Sequence, residues 1–566
     1  MGIHKIKKRG IAKIGISFLI LSVAILIFGG AFALYHFKGA KKVTSKDIES
    51  AEKISGLRFT GKERKMMLKG LRKNLDRYEE LRGVLLENHV PPAIQFSPVL
   101  PGMALSKESV PISISTDPTI QVPEDFADLA FYPVTALAQL IRSRKITSVE
   151  LTNLYLDRLK KHGPQLECVI TLTEELALEQ AKKADEEIAT GHYRGPLHGI
   201  PWGAKDLLAT KGIRTTWGAM PYKDQIINED ATVVKRLEEA GAVLVAKLTM
   251  GALAMGDVWY GGKTKNPWNL EQGSSGSSAG SAAATSAGLV AFAIGTETLG
   301  SIVSPSTRCG VTGLRPSYGR VSRYGAMALS WSMDKIGPIC RTVEDCALVF
   351  HAIHGPDGKD LTIIDVPFGW DPSSDLRSIR VGYLKKAFEE KSRTQKLDQA
   401  ALEAMRSLDI ELIPFELPEF PAGAISFILG AEAAAAFDEI TRSGKDDLLV
   451  RQGQGAWPNS FRQARFIPAV EYIQASRLRT LLMQKMVEVM REIDVFITPT
   501  YGGNNLLITN LTGHPAVVVP NGFDDKGNPT SISFIGDLFE EGKALHVAKA
   551  YQDATGFHLK HPKLKD

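Results

Sequence analysis

The chain has 566 residues, of which 44% are hydrophobic and 23% are charged, a balance that is typical of globular proteins and excludes a largely disordered chain. The net charge of +5 is too small for this length to indicate a nucleic-acid partner. The four cysteines form no CxxC pair and accompany no histidine cluster, so the sequence predicts neither a zinc site nor a disulfide framework.

An uncharged apolar segment at residues 14–35 follows a basic tail at residues 1–13. At about 1.5 Å per residue, this segment would form a helix of about 33 Å, which matches the thickness of a bilayer core. The positive charges before it predict a single membrane crossing, with a cytoplasmic N-terminus and an extracytoplasmic main domain. Cleavage near Ala33 is the alternative, and it would release a secreted or periplasmic protein.

A short linker at residues 36–50 precedes a small helical unit at residues 51–103. Thr60 and Glu63 fit a capping box, in which both side chains accept hydrogen bonds from backbone amides at the start of a helix. Apolar residues then recur at helical spacing: Met67, Leu71, Leu75, Tyr78, Leu81 and Leu85. A second linker is predicted at residues 104–125.

The main domain is predicted at residues 126–566, where helical stretches alternate with short apolar runs. This pattern indicates an α/β fold. Thr147 and Glu150 fit a second capping box at a helix start. Three apolar runs are predicted as strands, at residues 169–173, 242–248 and 289–295.

Three stretches rich in glycine or serine lie between these core elements, at residues 199–212, 273–288 and 295–317. Glycine and serine allow the backbone to turn sharply and to approach a substrate closely. Together the stretches resemble the amidase signature family of serine hydrolases, and the resemblance extends over residues 126–560. It implies a large mixed, twisted β-sheet flanked by helices, a Ser–Ser–Lys triad, and no metal or organic cofactor.

The resemblance assigns one triad residue to each stretch. Ser301, which follows Leu299-Gly300, matches the family's nucleophile. Ser277 matches the relay serine, which in the family follows a cis peptide bond. Lys205, in the segment Gly203-Ala204-Lys205-Asp206, matches the base.

The chemistry of these residue types agrees with the assignment. A serine hydroxyl is a weak nucleophile at neutral pH and needs an adjacent base. A lysine can act as that base only when it is neutral, and burial favours the neutral form. Lys205 has apolar neighbours in the sequence that could bury it, and Ser277 would carry the proton of Ser301 to Lys205.

The resemblance also predicts the groups that stabilise the tetrahedral intermediate. The backbone amides of Thr298, Leu299, Gly300 and Ser301 would bind its oxyanion. Ser278 would support the hydrogen-bond network around the relay serine.

The chain departs from the common family pattern at several residues near the predicted site: Ser275, Ala279, Glu297, Leu299 and Val303. Many members carry arginine where this chain has Val303. We therefore expect the loop beneath the nucleophile to lack a charge that would otherwise organise it.

Four other features are expected to be structural. His198 precedes a Gly-Ile-Pro turn, and Asp334 is interpreted as a structural carboxylate. Residues 256–264 come near a phosphate-binding loop but have the wrong glycine spacing. Asn510 begins a formal glycosylation sequon but is expected to be packed inside.

The leading hypothesis is a membrane-anchored or exported amidase that hydrolyses a small-molecule amide to a carboxylate and ammonia or an amine. The first alternative is a glutamine amidase like the A subunits of amidotransferases, because residues 318–348 resemble that branch. The predicted membrane segment disfavours it, since charged tRNA is cytoplasmic. A membrane-tethered homologue that binds without turnover is the second alternative, motivated by Leu299 and Val303.

The substrate itself is not predicted. Residues 351–500 are expected to determine specificity, and Trp457, Phe461 and Phe466 either line a pocket or fill the core. No nucleic-acid partner is expected, and the sequence leaves assembly as a homodimer open.

Overall fold

The structure, a computed structural model, describes residues 43–107 and 111–564. The predicted basic tail, the apolar segment at residues 14–35 and the cleavage site near Ala33 lie outside these residues. Among the helices in the described ranges, none is both long enough and apolar enough to cross a membrane. The chain divides into two units, at residues 1–86 and 87–566.

The described residues of the first unit, 43–86, form two helices, α1 (Ser45–Ser55) and α2 (Gly61–Arg82). The Thr60 hydroxyl accepts a hydrogen bond from the Glu63 amide, and the Glu63 carboxylate accepts one from the Thr60 amide. This confirms the predicted capping box. Arg64 on α2 donates two hydrogen bonds of 2.8 Å to the Glu52 carboxylate on α1, which joins the two helices.

The second unit contains fifteen further helices among its described residues: α3 (Val134–Arg142), α4 (Ser148–Leu166), α5 (Glu174–Ala189), α6 (Thr232–Glu239), α7 (Ala279–Ser286), α8 (Val303–Cys309), α9 (Val343–Ile353), α10 (Lys385–Glu389), α11 (Gln395–Arg406), α12 (Phe427–Ala436), α13 (Asp438–Arg442), α14 (Trp457–Ala464), α15 (Ala469–Met490), α16 (Asn505–Thr512) and α17 (Glu541–Thr555). Its strands are β1 (Val169–Leu172), β2 (Pro201–Lys205), β3 (Val243–Leu248), β4 (Val258–Trp259), β5 (Gly262–Lys263), β6 (Lys265–Asn266), β7 (Asn269–Gly273), β8 (Phe292–Glu297), β9 (Thr312–Arg315), β10 (Lys335–Cys340), β11 (Val381–Leu384), β12 (Leu412–Phe415), β13 (Val495–Pro499), β14 (Ala516–Phe523) and β15 (Pro529–Gly536).

Eleven strands form one mixed sheet. Across it they follow the order β1, β3, β2, β8, β10, β9, β14, β15, β13, β11 and β12. Strand β2 runs parallel to β3 and β8, and β11 runs parallel to β12 and β13, whereas the other pairs are antiparallel. The expected large mixed sheet with flanking helices is therefore present.

Both faces of the sheet are buried, as expected when helices cover it on two sides. Along β8, Phe292 and Ile294 belong to one apolar cluster and Ala293 belongs to another. The second cluster contains Ala282, Ala283 and Ala284 of α7, whose small side chains let the helix pack closely on the sheet. Strand β8 is thus buried along its whole length between the two clusters.

Two predicted strands agree closely with β1 and β3, and the predicted helix start at Thr147 is confirmed, with the capping box to Glu150. The third strand, predicted at residues 289–295, begins only at Phe292. The reason is that Gly288, with φ of 65°, turns the chain out of α7, and the residues after it are still part of this connection.

Candidate active site

Lys205 is the last residue of β2, a central strand whose neighbours are β3 and β8. Its side chain is fully buried. The ammonium Nζ lies 2.8 Å from Ser277 Oγ, 3.0 Å from Ser278 Oγ, 2.8 Å from Thr296 Oγ1 and 3.3 Å from the Thr296 carbonyl oxygen. The structure therefore brings Lys205 into direct contact with Ser277, as the sequence predicts for a base and its relay.

Burial lowers the pKa of Lys205 to about 7, although the negative charges of Asp334 and Glu297 act in the opposite direction. All four hydrogen-bond partners of Nζ are neutral oxygens, so no carboxylate contacts the ammonium directly. A lysine with this pKa is neutral in a substantial fraction of molecules near neutral pH and can accept a proton.

Ser277 lies in the loop between β7 and α7, after a cis peptide bond between Gly276 and Ser277. Glycine is required at residue 276, because a Cβ there would lie 1.9 Å from the carbonyl oxygen of Gly256. Asp257 accepts a hydrogen bond of 3.2 Å from the amide of Ser275. Residues 256–264, which come near a phosphate-binding loop in sequence, thus support the relay loop instead.

Ser278 connects the relay loop to β8 and to the predicted nucleophile. Its hydroxyl bonds both the amide and the carbonyl of Thr296, at 3.1 Å each. Its amide donates to the carbonyl of Ser301 at 3.2 Å. The predicted supporting role of Ser278 agrees with these contacts.

Ser301 lies in the turn between β8 and α8, and Gly300 before it has φ of 86°, a backbone conformation that favours glycine. Ser301 keeps 8% of its surface exposed, whereas Lys205 and Ser277 have none. A substrate could therefore reach Ser301 while the proton-accepting groups stay shielded from water.

The turn that precedes α8 carries free backbone donors. In the described part of the chain, the amides of Thr298, Leu299, Gly300 and Ser301 donate no hydrogen bond to another residue. Unused amides at a turn next to a nucleophile are the arrangement that an oxyanion requires. Leu299 is 38% exposed, so its side chain projects from this turn.

Glu297 holds the turn from beneath. Its Oε2 accepts hydrogen bonds from the amides of Ile302 at 2.9 Å and Val303 at 3.0 Å. Its Oε1 accepts from Arg315 Nη1 at 2.9 Å and from Asn510 Nδ2 at 2.8 Å. Burial opposes ionisation, but Arg315 and these hydrogen bonds lower the pKa of Glu297 to about 2.

This arrangement corrects the expectation drawn from Val303. Val303 supplies no charge, but the loop is held by one, because the fully buried Arg315 on β9 pairs with Glu297 beneath the turn. Arg315, Asn510 and Thr296 also belong to the site and were not predicted from the sequence. Arg315 and Thr296 lie in the third glycine-rich stretch, which was a signal for them, whereas Asn510 gave no signal beyond its sequon.

The remaining sequence candidates are placed as follows. Asn510 is 1% exposed, as expected for a packed residue. His198 is buried, lies 3.1 Å from Glu187 and accepts a hydrogen bond from the Arg194 amide, which agrees with a structural role. Asp334 accepts a hydrogen bond of 2.6 Å from Thr298 Oγ1 and is therefore closer to the nucleophile turn than a purely structural role requires.

Comparison with known proteins identifies the family of this chain. A family model described as Amidase matches residues 150–507, which is more than half of the chain.

The chain belongs to the amidase signature family.

Among curated relatives, the A subunit of glutamyl-tRNA(Gln) amidotransferase from Coxiella burnetii is 35% identical over 480 residues, which cover 76% of this chain and 99% of the relative. Its counterpart from Methylococcus capsulatus is 36% identical over 475 residues, covering 75% and 97%. Among solved structures, the peptide amidase of Stenotrophomonas maltophilia aligns with a TM-score of 0.68 at 30% identity, covering 76% of this chain and 98% of that one.

A cavity of about 160 Å³ opens beside the site in the second unit, which we call the amidase domain. Thr296 and Thr298 at the end of β8 line it together with Asp334 and Trp331, and it extends to the exposed Leu361. Because Thr296 contacts the Lys205 ammonium, the cavity reaches the immediate surroundings of the candidate base.

The sequence left open whether Trp457, Phe461 and Phe466 line a pocket or fill the core, and the structure gives them different surroundings. Trp457 and Phe461 are buried and stack with ring centroids 5.0 Å apart, and Phe461 also stacks on Phe437. They fill the core of the amidase domain. Phe466 is 61% exposed.

Proposed function

We propose that the protein hydrolyses an amide bond through an acyl-enzyme on Ser301, with Ser277 as the proton relay and Lys205 as the base. One observation carries this proposal: a fully buried lysine with a pKa of about 7 contacts Ser277, whose loop is hydrogen-bonded to Ser301. A chain that had lost turnover would have no need for a proton acceptor of this kind, which weighs against the inactive binding homologue.

In the first half-reaction, Ser301 Oγ attacks the amide carbonyl carbon. The Ser301 proton passes to Ser277 as the Ser277 proton passes to neutral Lys205. The carbon–nitrogen bond then breaks, and the proton returns through Ser277 to the leaving nitrogen. Water then attacks the resulting ester, and its proton passes through Ser277 to Lys205. The proton returns through Ser277 to Ser301 Oγ as the ester carbon–oxygen bond breaks, which releases the product as a carboxylate and restores Ser301.

The turn amides would stabilise the negative charge that develops on the carbonyl oxygen. Losing one such donor typically costs about 3–4 kcal/mol in the transition state. The proposed donors are the amides of Thr298, Leu299, Gly300 and Ser301, which are unused in the described structure. Glu297 contributes indirectly, because it fixes the next two amides and so the direction of the turn.

For the substrate, the curated relatives favour the alternative that resembles the amidotransferase A subunits over a free-standing amidase. We therefore propose the side-chain amide of glutamine as the first candidate, with ammonia as the leaving group. The likeness to a peptide amidase supports other carboxamides as the second candidate. The membrane segment at residues 14–35 and an extracytoplasmic location remain predictions.

Labelling with a fluorophosphonate probe tests the catalytic assignment. We expect the parent to be labelled at Ser301, no labelling in Ser301→Ala, and strongly reduced labelling in Ser277→Ala and Lys205→Ala. Ser304→Ala is the matched control, because Ser304 lies one helical turn beyond the nucleophile and is expected to label normally. Equal labelling of the parent and Ser301→Ala would overturn the assignment.

Ammonia release then separates the two substrate classes. The active parent is supplied with free glutamine and, separately, with an amidated peptide, and any partner protein that co-purifies is identified by mass spectrometry. Ammonia from glutamine supports the amidotransferase-like function. Turnover of the amidated peptide alone, without a co-purifying partner, would overturn that function and leave a free-standing amidase.

A further inference from the structure

Asp334 lies beside the nucleophile turn, and its contacts extend beyond packing. Resting on the proposed amide hydrolysis, we propose that Asp334 is a positioning residue that fixes the oxyanion turn through Thr298 and supplies the negative charge that faces Lys205. Sequence analysis assigned this carboxylate a structural role only.

The sheet register explains how Asp334 reaches the turn. Strands β8 and β10 are antiparallel, with Glu297 opposite Lys335 and Thr296 opposite Ile336. One further step of this register places Thr298 opposite Asp334, and Thr298 Oγ1 donates a hydrogen bond of 2.6 Å to Asp334 Oδ1. Any shift of this carboxylate would therefore act directly on the turn that carries the free amides.

The same register places Asp334 on the side of β8 that Lys205 contacts. Alternate residues of a strand share one side, so Thr296 and Thr298 project together. Thr296 contacts Lys205 Nζ, whereas Thr298 contacts Asp334, and the two threonines and Asp334 line the same cavity. The base and the carboxylate are thus hydrogen-bonded to two threonines that line the same cavity.

Asp334 is itself held firmly. Its Oδ2 accepts hydrogen bonds from the amides of Leu329 at 2.8 Å and Ser330 at 2.9 Å. Glu432 on α12 accepts from Ser330 Oγ at 2.5 Å and from Ser332 Oγ at 2.7 Å. The segment that carries Asp334 is consequently fixed to a helix outside the site.

Asp334 differs from three other carboxylates of this region, because each of those three is paired with a cation. Three nearby carboxylates are each paired with a cation: Glu297 with Arg315 at 2.9 Å, Asp206 with Lys247 at 3.1 Å, and Asp360 with Arg323 at 2.9 Å. Two further cations of this region do not contact Asp334: Lys335 donates to the carbonyl of Met333, and Arg479 donates to the hydroxyl and carbonyl of Ser332.

Asp334, by contrast, accepts its hydrogen bonds from one hydroxyl and two amides, all neutral. Burial raises the pKa of Asp334, while these hydrogen bonds and the more distant Arg323 favour its ionised form. These three contacts therefore include no ion pair. It opposes the effect of burial on the pKa of Lys205 more strongly than Glu297 does.

The charge of Asp334 determines the direction in which the pKa of Lys205 should change when Asp334 is replaced. A negative charge near an ammonium favours the protonated form, so removing it lowers the pKa of Lys205. A base with a lower pKa becomes neutral at lower pH, and the reaction of Ser301 should then begin at lower pH.

The test measures the rate of fluorophosphonate labelling at Ser301 against pH in the full-length chain. In Asp334→Asn, we expect the rise in rate to move to lower pH by about one unit, as is typical when a nearby opposite charge is removed. In Thr298→Val, which keeps the charge but loses the hydrogen bond, the midpoint should stay while the plateau falls by about tenfold or more. Thr298→Ser should restore the plateau.

Asp224→Asn is the control for loss of one carboxylate, because the Asp224 side chain is 76% exposed, and its profile should match the parent. A parent midpoint in Asp334→Asn, or equal plateaus in Thr298→Val and Thr298→Ser, would overturn the inference while leaving Ser301 as the nucleophile. If Asp334→Asn does not fold, the two Thr298 variants still decide the positioning role. Failure of the parent to label at Ser301 would overturn the proposed function, and this inference with it.

Discussion

Replacing Glu297 by glutamine is expected to destabilise the amidase domain strongly. The carboxylate is fully buried and accepts four hydrogen bonds, from Arg315, Asn510 and two turn amides. Glutamine has nearly the same shape, but its NH₂ group would face donors and would leave Arg315 as a buried charge without an anionic partner. Breaking a buried ion pair in this way typically costs about 3–5 kcal/mol.

The lowered pKa of Glu297 gives a second magnitude for the same interactions. Lowering it from the ordinary value of 4.5 to about 2 corresponds to about 3 kcal/mol of stability, in agreement with the first figure. Because the folded-state pKa is depressed, this contribution is present above pH 4.5 and is lost as the pH falls toward 2. The difference between the parent and Glu297→Gln should therefore shrink over the same window.

Denaturant unfolding of the two proteins at several pH values measures this difference. The double variant Glu297→Gln with Arg315→Met removes both charges and should recover part of the lost stability, since the unpaired cation is gone. A Glu297→Gln protein within about 0.5 kcal/mol of the parent at neutral pH would refute the reasoning, because changes of that size are typical of surface substitutions.

Three further predictions concern single residues. The labelling rate of Ser301 in the parent should rise with pH through about 7 and level off above it, because Lys205 must lose its proton to act as base; a rate independent of pH would contradict this. Gly276→Ala should abolish labelling, since its Cβ would meet the Gly256 carbonyl at 1.9 Å, whereas Gly70→Ala, with open space around it, should label like the parent. Asn510 should carry no glycan when the chain is expressed in a secretory pathway, because it is 1% exposed, and a mass shift on deglycosylation at this residue would contradict its packing.

Much of the candidate site could be predicted because its residues lie in short, unusual segments. The apolar neighbours of Lys205 indicated burial, and the structure shows complete burial. The glycine-rich stretches located the turns that carry Ser277 and Ser301. The alternation of helices and strands likewise indicated an α/β fold, and the family resemblance implied the large mixed sheet flanked by helices.

The residues that support the site could not be predicted, because the order of the strands in the sheet, and not the local sequence, brings them to it. Arg315 reaches Glu297 from a neighbouring part of the sheet, and Asn510 reaches it from 213 residues away. Val303 itself carries no charge, as expected, but the cation that holds Glu297 beneath the turn comes from another strand and could not be predicted. The Asp334–Thr298 contact depends on the β8–β10 register, which no local pattern specifies.

The central claim is that Ser301 forms a covalent acyl intermediate with help from Lys205. Its most direct test is peptide mapping by mass spectrometry after the parent and Lys205→Ala react with a slow amide or ester substrate and are quenched with acid. The account predicts an acyl group on Ser301 in the parent and little or none in Lys205→Ala. An acyl group on another residue, or equal acylation of Ser301 in both proteins, would contradict it.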